Sequence, residues 1–232
     1  MMGTTHAPLG AISGILSLHL LQAVGVNPSP GGSVAVLTAV GVGLVGGLLP
    51  DIDQPTSLIA NPGQQARKVV YTTFGIRRHS LVGYAFALPF TLVNLPVRAL
   101  AGLLKATLGH RGIMHSFGAG VLWSATLLLI LFGLTLLHLP ALGLWELAVY
   151  LLAGYTSHLL SDGITYSGQP LLWPLSKHKF NLAPPGLRVS ASGPFNSILG
   201  FIALAVLLAL LVLPGGLTSD LWQQAASHKP KR

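Results

Sequence analysis

Gly154-Tyr155-Thr156-Ser157-His158-Leu159-Leu160-Ser161-Asp162-Gly163-Ile164-Thr165 sets an imidazole and a carboxylate four residues apart inside apolar surroundings. On a helix, positions i and i+4 lie on one face, one above the other. A histidine and an aspartate stacked in that way form two adjacent ligands for a metal ion. The chain has only five acidic residues in 232. Three of them, Asp51, Asp53 and Asp162, stand beside the ends of apolar runs. An unpaired buried charge is very costly, so carboxylates in such places read as functional.

The composition places this stretch in a multi-span membrane protein. The chain is 51% apolar and 8% charged, with a mean hydropathy of +0.68, whereas an ordinary soluble domain is roughly 25% charged. Its length favours a single membrane-embedded domain over residues 1–232. The absence of cysteine excludes disulfides and thiolate metal sites. The net charge of +8 fits cationic loops beside a membrane. The basic residues are scattered and form no stripe with aromatics, so nucleic acid is not an expected partner.

The fold class expected is all-α, a helical membrane protein with about five to seven apolar helices. Candidate segments are 9–26, 33–49, 113–139, 142–162 and 195–213, near or above the ~17-residue lower limit for a spanning helix. Residues 1–8 lack the positively charged start of a cleaved signal peptide. Residues 54–112 form a basic insertion. Within it, 81–96 is broken by Pro89 and Pro96, and 97–108 is a short amphipathic piece with Arg98 and Lys105. Together they read as a hairpin of short or re-entrant helices, or as an interfacial element. Residues 163–194 are loop-like, and 214–232 form a polar, basic tail.

The polar residues follow a topological pattern. His6 precedes the first apolar run, and Asp51 and Asp53 follow the second. His110 and His115 open the Leu-rich run, and His158 and Asp162 close the next. If consecutive helices run up and down, all four places meet at one membrane face, provided that 54–112 crosses an even number of times. That face also collects Arg67, Lys68, Arg77, Arg78, Arg111, Lys177, Lys179 and Arg188, while 27–32 and 138–146 carry no Lys or Arg. The positive-inside rule then turns the site towards the cytoplasm. The basic tail opposes this orientation with fewer charges.

Histidine and aspartate without cysteine suit zinc first, with manganese or magnesium as alternatives. Asp51 and Asp53, spaced i, i+2 in an extended segment, can point to one side, so that both ligate or one orients the other. A bound divalent ion lowers the pKa of water to about 7 and can clamp the oxygens of a phosphoester. Arg111 and the basic loop residues, Lys177 and Lys179 among them, can hold a phosphate.

Several motifs occur together and in order: Thr5-His6 with Gly10, Leu49-Pro50-Asp51-Ile52-Asp53 with Ser57, His110-Arg111-Gly112-Ile113-Met114-His115-Ser116, His158 through Asp162 and Thr165 to Gly168, and Leu172-Trp173-Pro174. Over roughly residues 4–180 this order resembles the YdjM-like family of bacterial and archaeal inner-membrane proteins, described as membrane-bound metal-dependent hydrolases. Met114 stands where that family usually has threonine. The order of ligands is also similar to that of zinc-dependent phospholipase C. That likeness implies His6, Asp51 or Asp53, His115, His158 and Asp162 as metal ligands, Asp162 as a bridge, and a lipid phosphoester as substrate.

Taken singly, each residue has a plainer reading. The pair His158 and Asp162 can be a hydrogen-bonded pair within a helix. Asp51 and Asp53 can simply end a helix after Pro50, and Ser116 can be a cap beside His115. Jointly they point to metal-dependent hydrolysis of a phosphoester at the headgroup layer. His110 would be a proton-transfer group or a further ligand, and Arg111 would stabilise charge developing on the phosphoryl oxygens. The rival readings are a transporter for a metal ion or small solute, and a non-catalytic scaffold with a structural metal.

Overall fold

The computed structural model describes residues 3–28, 31–54, 56–61, 63–64, 71, 80–108, 113–137 and 144–212. They contain six α-helices: α1 (Gly3–Ala23), α2 (Gly32–Leu48), α3 (Leu81–Leu108), α4 (Phe117–Leu136), α5 (Leu144–Gly163) and α6 (Pro194–Val212). Short 3-10 turns Leu49–Asp53 and Ile113–His115 follow α2 and precede α4. Among the described residues, three helical stretches are long and apolar enough to cross a membrane: Gly32–Asp53, Phe117–Leu136 and Pro194–Val212. The expected spans 9–26 and 142–162 become α1 and α5, which fall short of that apolarity because they carry the polar groups of the site. They pack against α2 and each other at the centre of the bundle, where their polar residues meet protein.

Close packing of α1, α2 and α5 depends on glycine. A Cβ at Gly43 of α2 would lie 2.5 Å from the Gly10 carbonyl oxygen and 2.9 Å from the Gly14 Cα of α1. A Cβ at Gly46 would lie 3.0 Å from the Tyr155 nitrogen of α5. Gly10 and Gly14, like Gly43 and Gly47, repeat the small-x-x-x-small spacing that lets helix backbones approach without a hydrophobic driving force. Above and below this seam lie small apolar clusters, one of Leu18, Ala35, Val36, Ala39 and Tyr150, another around Tyr155, Leu159 and Leu49.

Two helix boundaries depart from the sequence reading. Helix α1 starts upstream of Pro8, because Thr5 donates to the Asn196 side chain of α6 at 3.0 Å and anchors the first turn. Residues 81–108 are not a hairpin of short pieces. They form one 28-residue helix that runs through Pro89 and Pro96, although each interior proline removes a backbone hydrogen bond. Tertiary contacts offset the loss. Buried Asn94 donates to Asn61 at 2.7 Å and accepts from the Gly63 amide at 2.9 Å, and Ala101, seven residues on and on the same face, is also buried. Leu88, Leu92, Leu95 and Leu103 project outward. Helix α2 ends and α4 begins at the same end of the bundle. Helix α3 is not among the helices apolar enough to cross a membrane.

Gly43→Ala should lower stability by roughly 1–3 kcal/mol through overpacking. Gly133→Ala on α4, where a Cβ meets nothing within 4 Å, should leave it unchanged or raise it by up to ~1 kcal/mol. Thermal unfolding in detergent reads both, and equal midpoints for the two variants would refute the glycine-dependent seam.

Candidate metal centre

Four chain segments deliver the donors. His6 lies in the first turns of α1, Asp51 in the 3-10 turn after α2, His115 in the 3-10 turn before α4, and His158 and Asp162 in the last turns of α5. The three histidines are fully buried and Asp162 is nearly so. Asp51 keeps 19% side-chain exposure and forms the open edge of the cluster.

The distances are those of ligand atoms, not of ordinary ion pairs. His6 Nε2 is 3.3 Å from Asp162 Oδ1, and His115 Nε2 is 3.6 Å from Asp51 Oδ1. His158 Nε2 is 3.8 Å from Asp162 Oδ2 and 3.9 Å from Asp51 Oδ1. Two donors bound at ~2.1 Å to one tetrahedral ion lie about 3.4 Å apart. His6, Asp51 and His158 form one group able to hold an ion, and His115, His158 and Asp162 another. The His6 and His158 rings stack with centroids 3.6 Å apart and planes 21° from parallel.

Proton positions follow from the hydrogen-bond network. His158 Nδ1 lies 2.7 Å from the Gly47 carbonyl oxygen, which can only accept, so Nδ1 carries the proton. The Ser161 hydroxyl donates to the His158 carbonyl at 3.0 Å. Its single proton is thereby used, and at 3.1 Å it accepts from His6 Nδ1. Both rings therefore turn Nε2 inward, and in the neutral imidazole that atom is a bare lone pair. Neither Nε2 has a hydrogen-bond partner, and each faces carboxylate oxygens. Lone pairs opposed to carboxylates in a buried site repel one another, and a cation between them reverses the sign of every contact. The donor set thus fits a divalent metal ion.

A matching family model is that of the YdjM inner membrane protein, over residues 1–219. The chain belongs to the YdjM inner membrane protein family. No curated protein and no solved structure matches it. The family match extends past the ~180 residues over which motif order alone resembles YdjM proteins. In this YdjM chain it includes the loop after α5 and the helix α6.

That loop supplies residues the sequence reading missed. Gln169 is fully buried, and its amide donates to Asp162 Oδ2 at 2.9 Å. Gly168 adopts φ +59°, a region open to glycine without steric cost, and a Cβ there would lie 2.9 Å from the Phe180 carbonyl oxygen. The turn lets Gln169 exchange backbone hydrogen bonds with Phe180 while its side chain reaches Asp162. Thr165 closes the end of α5 by donating to the Asp162 carbonyl at 2.7 Å. On the opposite side, the Tyr155 hydroxyl donates to the Met114 carbonyl and so holds the turn that carries His115. A backbone atom makes this contact, so the exchange of threonine for methionine at position 114 leaves it intact. Ser116 caps α4, accepting from the Ala119 amide at 3.2 Å.

Asp53 departs from expectation. Residues 49–53 form a 3-10 helix, not an extended segment. At three residues per turn, positions i and i+2 point about 240° apart. Asp51 faces the cluster, while Asp53 is fully buried outside both groups of donors. His110 and Arg111 lie outside the described residues. Lys177 and Lys179 are exposed on the loop after α5.

Imidazole ¹⁵N NMR of selectively labelled protein should report His6 and His158 as Nδ1–H tautomers. An Nε2–H tautomer at either residue would overturn the lone-pair argument.

Proposed function

We propose that this YdjM protein is a membrane-embedded, metal-dependent hydrolase that cleaves a phosphoester in or beside the lipid headgroup layer, with its site on the cytoplasmic face. The observation that carries the reading is the pair of buried Nε2 atoms of His6 and His158, each without a hydrogen-bond partner and set against carboxylate oxygens. Such an arrangement calls for a cation, with zinc preferred for this His/Asp set and manganese or magnesium as alternatives. A bound divalent ion supplies Lewis acidity and lowers the pKa of water.

The protein's own residues have the following roles in this proposal. His6, Asp51, His115, His158 and Asp162 hold the metal, and Asp53 is left out of the set. Asp162 offers one oxygen towards His6 and the other towards His158, which suits a bridging carboxylate. Gln169 fixes the Asp162 carboxylate plane, and Ser161 and the Gly47 carbonyl fix the two imidazole tautomers. Orienting groups of this kind raise ligand basicity and hold ring orientation. The partly exposed edge at Asp51 is the side from which substrate reaches the centre. His110 exchanges protons with the reacting groups, Arg111 stabilises negative charge on phosphoryl oxygens, and Lys177 and Lys179 face anionic headgroups.

Elemental mass spectrometry of the detergent-purified protein is the decisive test. At least one equivalent of divalent metal is expected in the wild type, and it should be lost in the near-isosteric Asp162→Asn variant. Turnover of the soluble diester bis(p-nitrophenyl) phosphate should disappear with the metal on chelation. A wild type that stays metal-free after reconstitution with zinc, manganese and magnesium would defeat the proposal.

Gln169→Leu keeps the ligand set but removes the amide from Asp162. Metal affinity should fall roughly 10–100-fold with helix content unchanged, as read by competition with a chromophoric chelator. Unaltered affinity would remove Gln169 from the centre.

A further inference from the structure

We propose that a groove between α2 and α4 holds one acyl chain of the phosphoester substrate, with the headgroup end of that chain at Asp51. The proposal rests on the hydrolase reading above and extends it to the class of substrate, a membrane lipid held by its tail.

Helices α2 and α4 both pack on α5 and leave an open groove between them of about 480 Å³. Leu37, Val45 and Leu49 form one wall, Trp123 and Ile130 the other, and Leu151 the floor. Two threonines, Thr38 and Thr126, also line it, and the Thr126 hydroxyl is turned into its own helix, donating to the Leu122 carbonyl at 2.8 Å. Leu37, Val45 and Ile130 are each about half exposed. Two of the three helices apolar enough to cross a membrane form the walls, so the groove opens where hydrocarbon replaces water.

The direction of the groove joins it to the metal centre. Helix α2 runs towards the centre and α4 away from it, so Leu49 and Trp123 mark the near end and Leu37 and Ile130 the far end. Leu49 follows Gly47, whose carbonyl meets His158 Nδ1, so the near end of the groove lies at the depth of the cluster, of which Asp51 is the partly exposed member. From Leu49 to Leu37 is twelve positions, about 18 Å along a helix. One leaflet of hydrocarbon is about 15 Å deep, half of a ~30 Å core. The groove therefore spans about the depth of one leaflet and ends level with the metal centre.

Volume selects the occupant. An 18 Å length of helix about 10 Å wide takes up roughly 1,400 Å³, well above the roughly 930 Å³ of empty space in the groove, so a helix of a partner or of a second copy would lie across its mouth and not inside it. Within the ~300–1,000 Å³ range of small-ligand pockets, a single narrow chain is the occupant that matches the length, the apolar walls and the sideways opening. A lipid seated in this way arrives from within the leaflet and presents its phosphoester at Asp51 without leaving the membrane.

Gly41 lines the groove, and a Cβ there meets nothing within 4 Å. Gly41→Phe therefore fills the groove and spares the helix seam. Gly133, equally open and on α4, lies outside the lining and supplies the control. The test uses full-length protein in phosphatidylcholine nanodiscs doped with a phosphatidylglycerol bearing one photoreactive 16-carbon acyl chain. Crosslinks are mapped by mass spectrometry. Labelling should concentrate on 37–49 and 123–130 over the exposed face of α6 at Phe201 and Leu208. Gly41→Phe should reduce groove labelling at least about tenfold, the equivalent of two lost buried methylenes, and Gly133→Phe should not. Thr126→Phe, on the opposite wall, should reproduce the loss. Labelling spread evenly over groove and α6, or unchanged in both groove variants, would overturn the proposal. Metal content and hydrolysis of bis(p-nitrophenyl) phosphate, measured on the same samples, separate the two readings. Metal and soluble turnover without groove labelling overturns the groove alone. Groove labelling in a protein that takes up no metal overturns the hydrolase reading.

Discussion

The hydrogen bond from His158 Nδ1 to the Gly47 carbonyl joins the packing of the bundle to the chemistry of its centre. Gly47 belongs to the last turn of α2, where the final carbonyls have no partner within the helix. In an apolar interior an unpartnered carbonyl is costly, and the imidazole of α5 satisfies it. That single bond closes the end of α2, sets the tautomer of His158 and turns its Nε2 towards Asp51 and Asp162. It forms only because glycines at 46 and 154 let α2 and α5 approach backbone to backbone. A side chain larger than hydrogen at these positions would push His158 out of reach of Gly47 before it touched any donor of the cluster. The glycine seam is thus part of the centre, though none of its residues is a ligand.

Much of this could be read in the sequence, and the parts that could not share a cause. The i, i+4 pair His158 and Asp162, and the placing of His6, Asp51 and His115 at helix ends that meet on one face, follow from periodicity and from counting crossings. The stretch with Gly43, Gly46 and Gly47 read only as an apolar run rich in Gly and Val, because a glycine's role lies in what approaches it. Gln169 gave no local signal. It sits seven residues beyond Asp162 in a loop rich in glycine and proline, and its reach depends on the turn at Gly168 and on pairing with Phe180. Asp53 misled for the opposite reason. Its spacing from Asp51 suits a strand, but the chain leaves α2 through a 3-10 turn, and a change of about 240° in direction parts two residues that sequence places side by side.

Helix α3 shows how tertiary contact overrides a strong local rule. Two interior prolines argue for a break, yet the helix continues because Asn94 is held by Asn61 and the Gly63 amide on its inner face. Its position keeps α2 and α4 joined on one side, which the convergence of donors requires. The outward leucines, with Arg98 and Lys105 exposed on the same helix, give it the character of an element lying along a membrane surface beside the cluster.

The depth of the centre bears on what kind of protein this is. Transporters set their polar groups near the bilayer midplane, on broken helices. Here His6 is the fourth residue of α1, Asp162 the penultimate residue of α5, and Asp51 and His115 lie in turns outside the long helices. His158, the deepest by sequence, is five positions from the end of its helix, about 8 Å. A cluster so close to the helix ends is poorly placed to pass an ion between two faces. It is well placed for the proposed phosphoester at headgroup level, whose chain would lie along α2 and α4. A structural metal would account for the buried donors, but it gives no reason for Asp51 to stay partly exposed. On the proposed reading, the exposed carboxylate edge, the buried set of His and Asp donors and the leaflet-deep groove together favour catalysis on a lipid over either alternative.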